Sequence, residues 1–241
     1  MKINEISEII ERFAPLSLQE SYDNAGLIVG RPDDEVHRAL LAVDVTEEVL
    51  DEAEREGSDL VIALQPLVFH ALKRFNSADP VQRCARGGMS WRLAARLGVV
   101  ILRGLQPSEA APGAGFGVVG ELPAEEETVA FMRRMQRLLE VRVVRHSDIA
   151  TPTVRRVAVC TGAGASLIGD ARRAGADIYV TADMKYNDFM TPDKALTVAD
   201  IGHFESEYCA IRILFDILSK NLCTFAVRKS ECSRNPVNYL V

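Results

Sequence analysis

Ala39-Leu40-Leu41-Ala42-Val43-Asp44-Val45-Thr46-Glu47-Glu48-Val49-Leu50 switches from one periodicity to another, and that switch decides the fold class. Ala39 to Val43 is an unbroken apolar run, the pattern of a strand covered on both faces. Asp44 and Thr46 are residues that cap helices, and Glu47 and Glu48 fall in the first turn, where negative charge complements the helix dipole. The helix runs to about Glu56 and Gly57 stops it. Asp59-Leu60-Val61-Ile62-Ala63 then reads as a second strand. Strand, helix and strand within about 25 residues make a βαβ unit with a parallel pair. The handedness rule for such crossovers makes it right-handed.

Outward from this unit, Ile3, Ile6, Ile9, Ile10 and Phe13 form a helical stripe that Pro15 ends. Gly26 to Gly30 reads as a short strand between glycines. The βαβ pattern returns further along. Val154 to Cys160 is a strand, Thr161 to Ser166 a glycine-rich turn, Leu167 to Arg173 a helix ended by Gly175, and Asp177 to Thr181 a strand. Ala195 to Val198 is another strand, followed by a helix from Glu207 to Leu218 and a last strand around Thr224 to Val227. Between the blocks, Pro107 to Pro123 reads as loop because of its prolines and glycines. Glu125 to Leu139 is an amphipathic helix and Glu140 to Arg145 a strand. The expected fold is α/β, with two lobes built from βαβ units and mostly parallel strands. They span residues 1–105 and 106–241, with the C-terminal segment free to return to the first lobe.

Composition bounds the function. The chain has 241 residues, 48% apolar and 26% charged, enough for one large core or two ordinary domains. A net charge of −6 and a pI near 5.4 lack the basic footprint of non-specific nucleic-acid binding. No apolar stretch approaches a membrane span, and Met1 to Ile6 carries acid where a secretion signal carries base. Cys84, Cys160, Cys209, Cys223 and Cys232 are odd in number and widely spaced, without a Cys-x-x-Cys pair. This is the usage of a reducing compartment, and the expected location is the cytoplasm.

The chemistry concentrates in Asp200-Ile201-Gly202-His203-Phe204-Glu205-Ser206-Glu207. His203 and Glu207 are four residues apart, so on a helix they share one face and can reach one metal ion. His37, His70 and His146 have no companions at ligand spacing and read as surface residues. The turn Thr161-Gly162-Ala163-Gly164-Ala165-Ser166 lies between a strand and a helix. Its amides at Gly162, Gly164 and Ser166 are candidates for phosphate contact. The turn lacks the full dinucleotide fingerprint and a following P-loop lysine, and reads first as a tight βα connection. Asp183 to Asp188 follows a strand end, where α/β folds place ligands, and Lys185 there is a second candidate for phosphate.

Five ordered motifs together resemble one family. They are Tyr22-Asp23-Asn24-Ala25-Gly26-Leu27, Asp44 to Leu50, Cys160-Thr161-Gly162-Ala163-Gly164, Thr181-Ala182-Asp183-Met184-Lys185-Tyr186 and Gly202 to Glu207. The family is the NIF-three-like, dinuclear-metal-centre family, whose members carry the name GTP cyclohydrolase 1 type 2 homologues. The resemblance implies two α/β domains per subunit and a ring-shaped homohexamer with paired divalent metals (zinc, iron or manganese) facing an inner cavity. It also implies hydrolase-like action on phosphorylated or nucleotide small molecules.

The metal motifs carry over unequally. His203 and Glu207 match the last one. Where the family has two adjacent histidines before proline, this chain has Leu64-Gln65-Pro66. Leucine binds no metal, and Gln65 offers one neutral amide oxygen. The family's His-Thr-Asn-Leu-Asp motif has no counterpart between Cys84 and Gly87, so that about two dozen residues, a helix plus a strand, are absent. A competing alignment lays Leu105 to Gly113 on that motif, with Glu109 in place of the aspartate; Gly88 to Gly98 supports the first alignment better. His203 and Glu207, with Gln65 and Glu109 as residual ligands, are expected to hold one ion or none. The expectation is an impaired metal-dependent hydrolase, with a non-catalytic ring-forming or scaffold protein as the alternative and small-molecule sensing as a third.

Overall fold

The computed structural model describes residues 1–16, 24–65, 89–107, 115–190 and 195–240. In chain order its first elements are α1 (Ile3–Phe13), β1 (Arg38–Ala42), α2 (Glu47–Arg55), β2 (Leu60–Ala63), α3 (Met89–Arg96) and β3 (Val100–Pro107). Next come β4 (Gly115–Glu127), α4 (Thr128–Leu139), β5 (Arg145–His146), β6 (Thr153–Ala163), α5 (Ile168–Arg173) and β7 (Ile178–Ala182). The last are β8 (Thr197–Asp200), α6 (His203–Glu207), α7 (Cys209–Asn221) and β9 (Ala226–Lys229). The chain divides into two compact units, residues 1–84 with 210–236 and residues 85–209 with 237–241.

In the first unit the βαβ block forms a parallel sheet in the order β2-β1-β9. Thr46 caps α2, its hydroxyl accepting from the Val49 amide at 3.3 Å. Val49 and Ala53 pack with Leu40 and Ala42. Glu52 is buried on the same helix and accepts hydrogen bonds from the Glu231 amide (2.9 Å), the Cys232 amide (3.1 Å) and the Ser230 hydroxyl. Those bonds tie the segment after β9 to α2.

The second unit is built on a six-stranded sheet, β3-β4-β6-β7-β8-β5. Its centre, β6-β7-β8, is parallel, and the flanking pairings are antiparallel. Successive side chains alternate between faces. Val157, Val159, Ile178 and Val180 pack with Phe131, Met135 and Leu93 of α4 and α3. Ala158, Cys160, Tyr179 and Val198 pack with Leu167 and Ala171 around α5. Each large apolar side chain so buried contributes roughly 1.5–3 kcal/mol. The architecture is the expected α/β fold; four of the seven strand pairings among the described residues are parallel.

Several sequence expectations are corrected. Residues 24–30 form no strand. Gly26 and Gly30 hold φ of 121° and 111°, which an extended strand does not permit, and Val29 is 73% exposed. The stretch read as loop from Pro107 to Pro123 contains most of β4. Gly120 marks close approach rather than a turn: a Cβ there would lie 2.3 Å from the Val100 carbonyl oxygen on β3. That pairing also places residues 89–107 in the second unit, whereas the sequence reading put the boundary after 105. α4 starts at Thr128, with the Glu127 carboxylate accepting from the Val129 and Ala130 amides. Of the strand expected from Glu140 to Arg145, only Arg145 with His146 pairs, against β8. The helix expected from Glu207 is two helices, α6 and α7.

Candidate metal centre

The carboxyl ends of β6, β7 and β8 converge within the second unit. This is the edge at which parallel sheets place ligands, because the connections there splay apart and helix starts point inward. Gly162 lies near the end of β6, Asp183 directly follows β7, and His203 opens α6 two residues beyond Ile201, which follows β8.

Three side chains from these ends meet. His203 and Glu207 are the first and last residues of α6, one turn apart, and Nε2 lies 3.0 Å from Glu207 Oε2. On the other side of the ring, Nδ1 lies 2.7 Å from Asp183 Oδ2. Glu207 is buried at 8% exposure, while the His203 side chain is 39% exposed, so the imidazole stands between a buried carboxylate and an open one. Its pKa is raised from 6.5 to about 9. The hydrogen bond to Glu207 is the largest cause; burial opposes it, and the charges of Glu207 and Asp183 add to it. At neutral pH the metal-free ring is therefore an imidazolium donating on both sides, and a metal at Nε2 must displace that proton.

The supporting backbone explains how Glu207 reaches this place. Gly162 has φ of 67°, and a Cβ there would sit 2.5 Å from Glu207 Oε1. Only a bare Cα lets the carboxylate in. The Gly162 amide donates to Ser206 Oγ at 2.9 Å, and the Ser206 hydroxyl donates to the His203 carbonyl at 2.8 Å, so the turn after β6 is bonded directly to α6. The Gly162 N–H is therefore engaged within the protein by Ser206 Oγ, beside the Glu207 carboxylate. Gly164 is buried beneath the Tyr179 hydroxyl, which donates to its carbonyl at 2.8 Å. Ser166 and Lys185 are exposed on the turns after β6 and β7, and α5 has only six residues to lend a dipole.

Asp183 is the residue that sequence reasoning missed. The sequence shows it as a polar residue in a strand-end segment and in one of the family motifs, with no role at the centre attached. Its φ of 56° is unusual for a residue other than glycine, and with that backbone its carboxylate meets Nδ1. A carboxylate on the far nitrogen is the device that fixes the tautomer of a metal-binding histidine and leaves Nε2 to face the ion.

The other expected ligands lie in the first unit or outside the described residues. Gln65 follows β2 in the first unit, its amide donating to the Val43 carbonyl at 2.9 Å, and Leu64 precedes it. Glu109 lies outside the described residues, as do Tyr22, Asp23, Pro66, Cys84 and His70. His37 is exposed, with Nδ1 3.0 Å from Asp59 Oδ2, and His146 Nδ1 lies 2.7 Å from the Ser147 carbonyl. Among the described residues no three histidine, cysteine, aspartate or glutamate side chains are grouped to hold a metal. The reason is geometric: Asp183 and Glu207 occupy opposite nitrogens of one ring and do not face one point. His203 Nε2 and Glu207 therefore fit one divalent ion in part, and this donor set does not fit two.

A two-unit α/β protein with a helical histidine–glutamate pair at the carboxyl edge of a parallel core is the class defined so far. The family model described as Duf34/NIF3 (NGG1p interacting factor 3) matches residues 1–87 and 84–236, and the chain belongs to that family. The two matched stretches meet at residues 84–87, the junction where the sequence reading puts the missing helix and strand. A GTP cyclohydrolase 1 type 2 homolog of Clostridium perfringens (strain 13 / Type A) is 31% identical over 230 residues, covering 86% of this chain and 87% of the relative. One from Streptococcus pneumoniae serotype 4 is 27% identical over 270 residues, with 100% of both chains covered. That relative therefore holds residues for which this 241-residue chain has no counterpart. In structure, the Staphylococcus aureus hypothetical protein SA1388 superposes with a TM-score of 0.86 at 21% identity, covering 100% of this chain and 99% of that one.

Proposed function

We propose that this family member binds a single divalent ion per chain through His203 Nε2 and the Glu207 carboxylate. The reading is carried by one observation, the 3.0 Å approach of these groups with Asp183 holding the opposite nitrogen. Zinc, iron and manganese all accept an imidazole nitrogen and a carboxylate oxygen. With these two donors from the described residues, further positions are open to water or substrate. When bound, such an ion lowers the pKa of a coordinated water and so supplies a hydroxide nucleophile near neutral pH. The chain's own part is to orient His203 through Asp183 and to present Glu207 from a buried position. The activity in keeping with this, and with the names of the relatives, is hydrolysis of a phosphorylated or nucleotide small molecule in the cytoplasm, by a homo-oligomer of the hexameric ring type.

Elemental analysis of protein purified without chelator, together with the mass of the intact assembly, tests the reading. The expectation is up to one ion per chain, lost in His203→Ala and in Glu207→Gln. Far less than one ion in the unaltered protein, unchanged by either substitution, refutes it.

A second reading, a ring-forming binding or scaffold protein without catalysis, draws on Leu64 and Gln65 at the positions where the resemblance calls for two histidines. Under it, Leu64→His with Gln65→His raises metal content by well under one ion per chain. A large gain argues against the absence of the aspartate segment.

A further inference from the structure

We propose that Asp200, together with Arg145, is the positioning group that sets the Asp183–His203 geometry. Asp200 is the last residue of β8 and only 2% exposed. Its Oδ1 accepts from the Gly202 amide at 2.9 Å. Its Oδ2 accepts from the Met184 amide, also at 2.9 Å, and from Arg145 Nη2. The same Arg145 nitrogen donates to the Met184 carbonyl at 3.1 Å, and the guanidinium lies over the Phe189 ring, 5.4 Å from its centroid. One buried carboxylate thus joins the exits of β7 and β8 to β5.

The two anchored amides are the ones that matter to the centre. Met184 directly follows Asp183, whose left-handed backbone is disfavoured for an aspartate and persists only if its neighbours are held. Gly202 directly precedes His203 and holds φ of 87° at the start of α6. Fixing both amides to one carboxylate sets where the Asp183 side chain leaves its turn and where the imidazole leaves the other. The Asp200–Arg145 pair is buried only on the Asp200 side, because the Arg145 side chain is 53% exposed. The bonds of Asp200 go to the two turns that carry Asp183 and His203, which is what a role in geometric specificity requires.

The test is Asp200→Asn, whose carboxamide keeps one acceptor oxygen and sets its NH2 against the donors on the other side, either Gly202 or Met184 with Arg145. Two measurements follow. Binding of zinc, by calorimetry, is expected to weaken by roughly 10- to 100-fold, the effect typical of disrupting support to a metal-binding histidine. The Nδ1–H resonance of His203, in metal-free protein with labelled histidine at one fixed pH, is expected to shift or broaden. Asp183→Asn should give losses of the same kind, and the double variant should be no worse than the poorer single one, since both act on the same bond. Met135→Ala, a core substitution in the same unit, should lower stability and move neither readout. If Asp200→Asn does not fold, Arg145→Ala carries the test with the same direction expected.

The zinc arm rests on the single-ion reading; the resonance does not. If the unaltered protein binds no ion, that reading falls and the Nδ1–H signal alone decides the present one. An unshifted Nδ1–H signal in folded Asp200→Asn, or additive losses in the double variant, overturns the proposal.

Discussion

Gly162→Ala isolates what the bare Cα at the end of β6 does. Alanine at φ of 67° carries the left-handed penalty of about 1–2 kcal/mol. Its methyl would also stand 2.5 Å from Glu207 Oε1 and 3.8 Å from His203 Cε1. Glu207 is the end of a movable side chain, but it is buried and engaged by His203, so relief requires breaking that pair or shifting the turn. Overpacking of this kind adds about 1–3 kcal/mol. Gly98→Ala supplies the comparison: it lies in the same unit at φ of 76°, and a Cβ there meets nothing within 4 Å. The expectation is about 1–2 kcal/mol for Gly98→Ala from strain alone and about 2–5 kcal/mol for Gly162→Ala from strain plus overpacking. Urea unfolding followed by Trp91, the only tryptophan and a residue of α3 in that unit, reads both. Equal losses would refute the claim that Gly162 exists to admit the Glu207 carboxylate.

Three further outcomes are expected. Because the His203 pKa is raised above 6.5 in the fold, its stabilising contribution is complete below pH 6.5 and disappears as pH rises through about 9. The unfolding midpoint of metal-free protein should fall over that window, and Glu207→Gln should flatten the fall; an unchanged profile in the variant counts against the assigned cause. Glu52→Ala removes the acceptor of two amides and a hydroxyl and should cost about 2–4 kcal/mol, since bonds to a buried charge are each worth more than neutral ones. It should also speed thiol labelling of Cys232, and labelling at the native rate would contradict the anchoring role. In native protein Cys223, which is exposed, should react with a thiol reagent before Cys160 and Cys209, whose pKa values burial pushes up to about 11 and about 12. Faster reaction at Cys160 than at Cys223 would refute that order.

The βαβ block from Arg38 to Ala63 and the parallel core β6-β7-β8 were legible because local cues agree there: continuous apolar strands, a capped helix, a glycine stop. The long antiparallel strand β4 was not. Its Gly115, Gly117 and Gly120 carry the composition of a loop, and only tertiary packing explains the glycines at 117, with a φ of 62° against the Val159 carbonyl of β6, and at 120, against β3. The short run at Gly26 to Gly30 failed in the opposite sense, with strand-like residues but no ladder partner.

For the centre, the i, i+4 spacing alone put His203 and Glu207 on one face, because one helical turn is a local property. What tertiary structure decided is everything that approaches them from other elements: Asp183 from the turn after β7, Gly162 from β6, and Asp200 with Arg145 beneath. These residues are scattered between positions 145 and 207, and no spacing rule links them. Their convergence follows from the register of the parallel strands β6, β7 and β8 and of the antiparallel β5, which is set by long-range pairing and not written in any local stretch of chain.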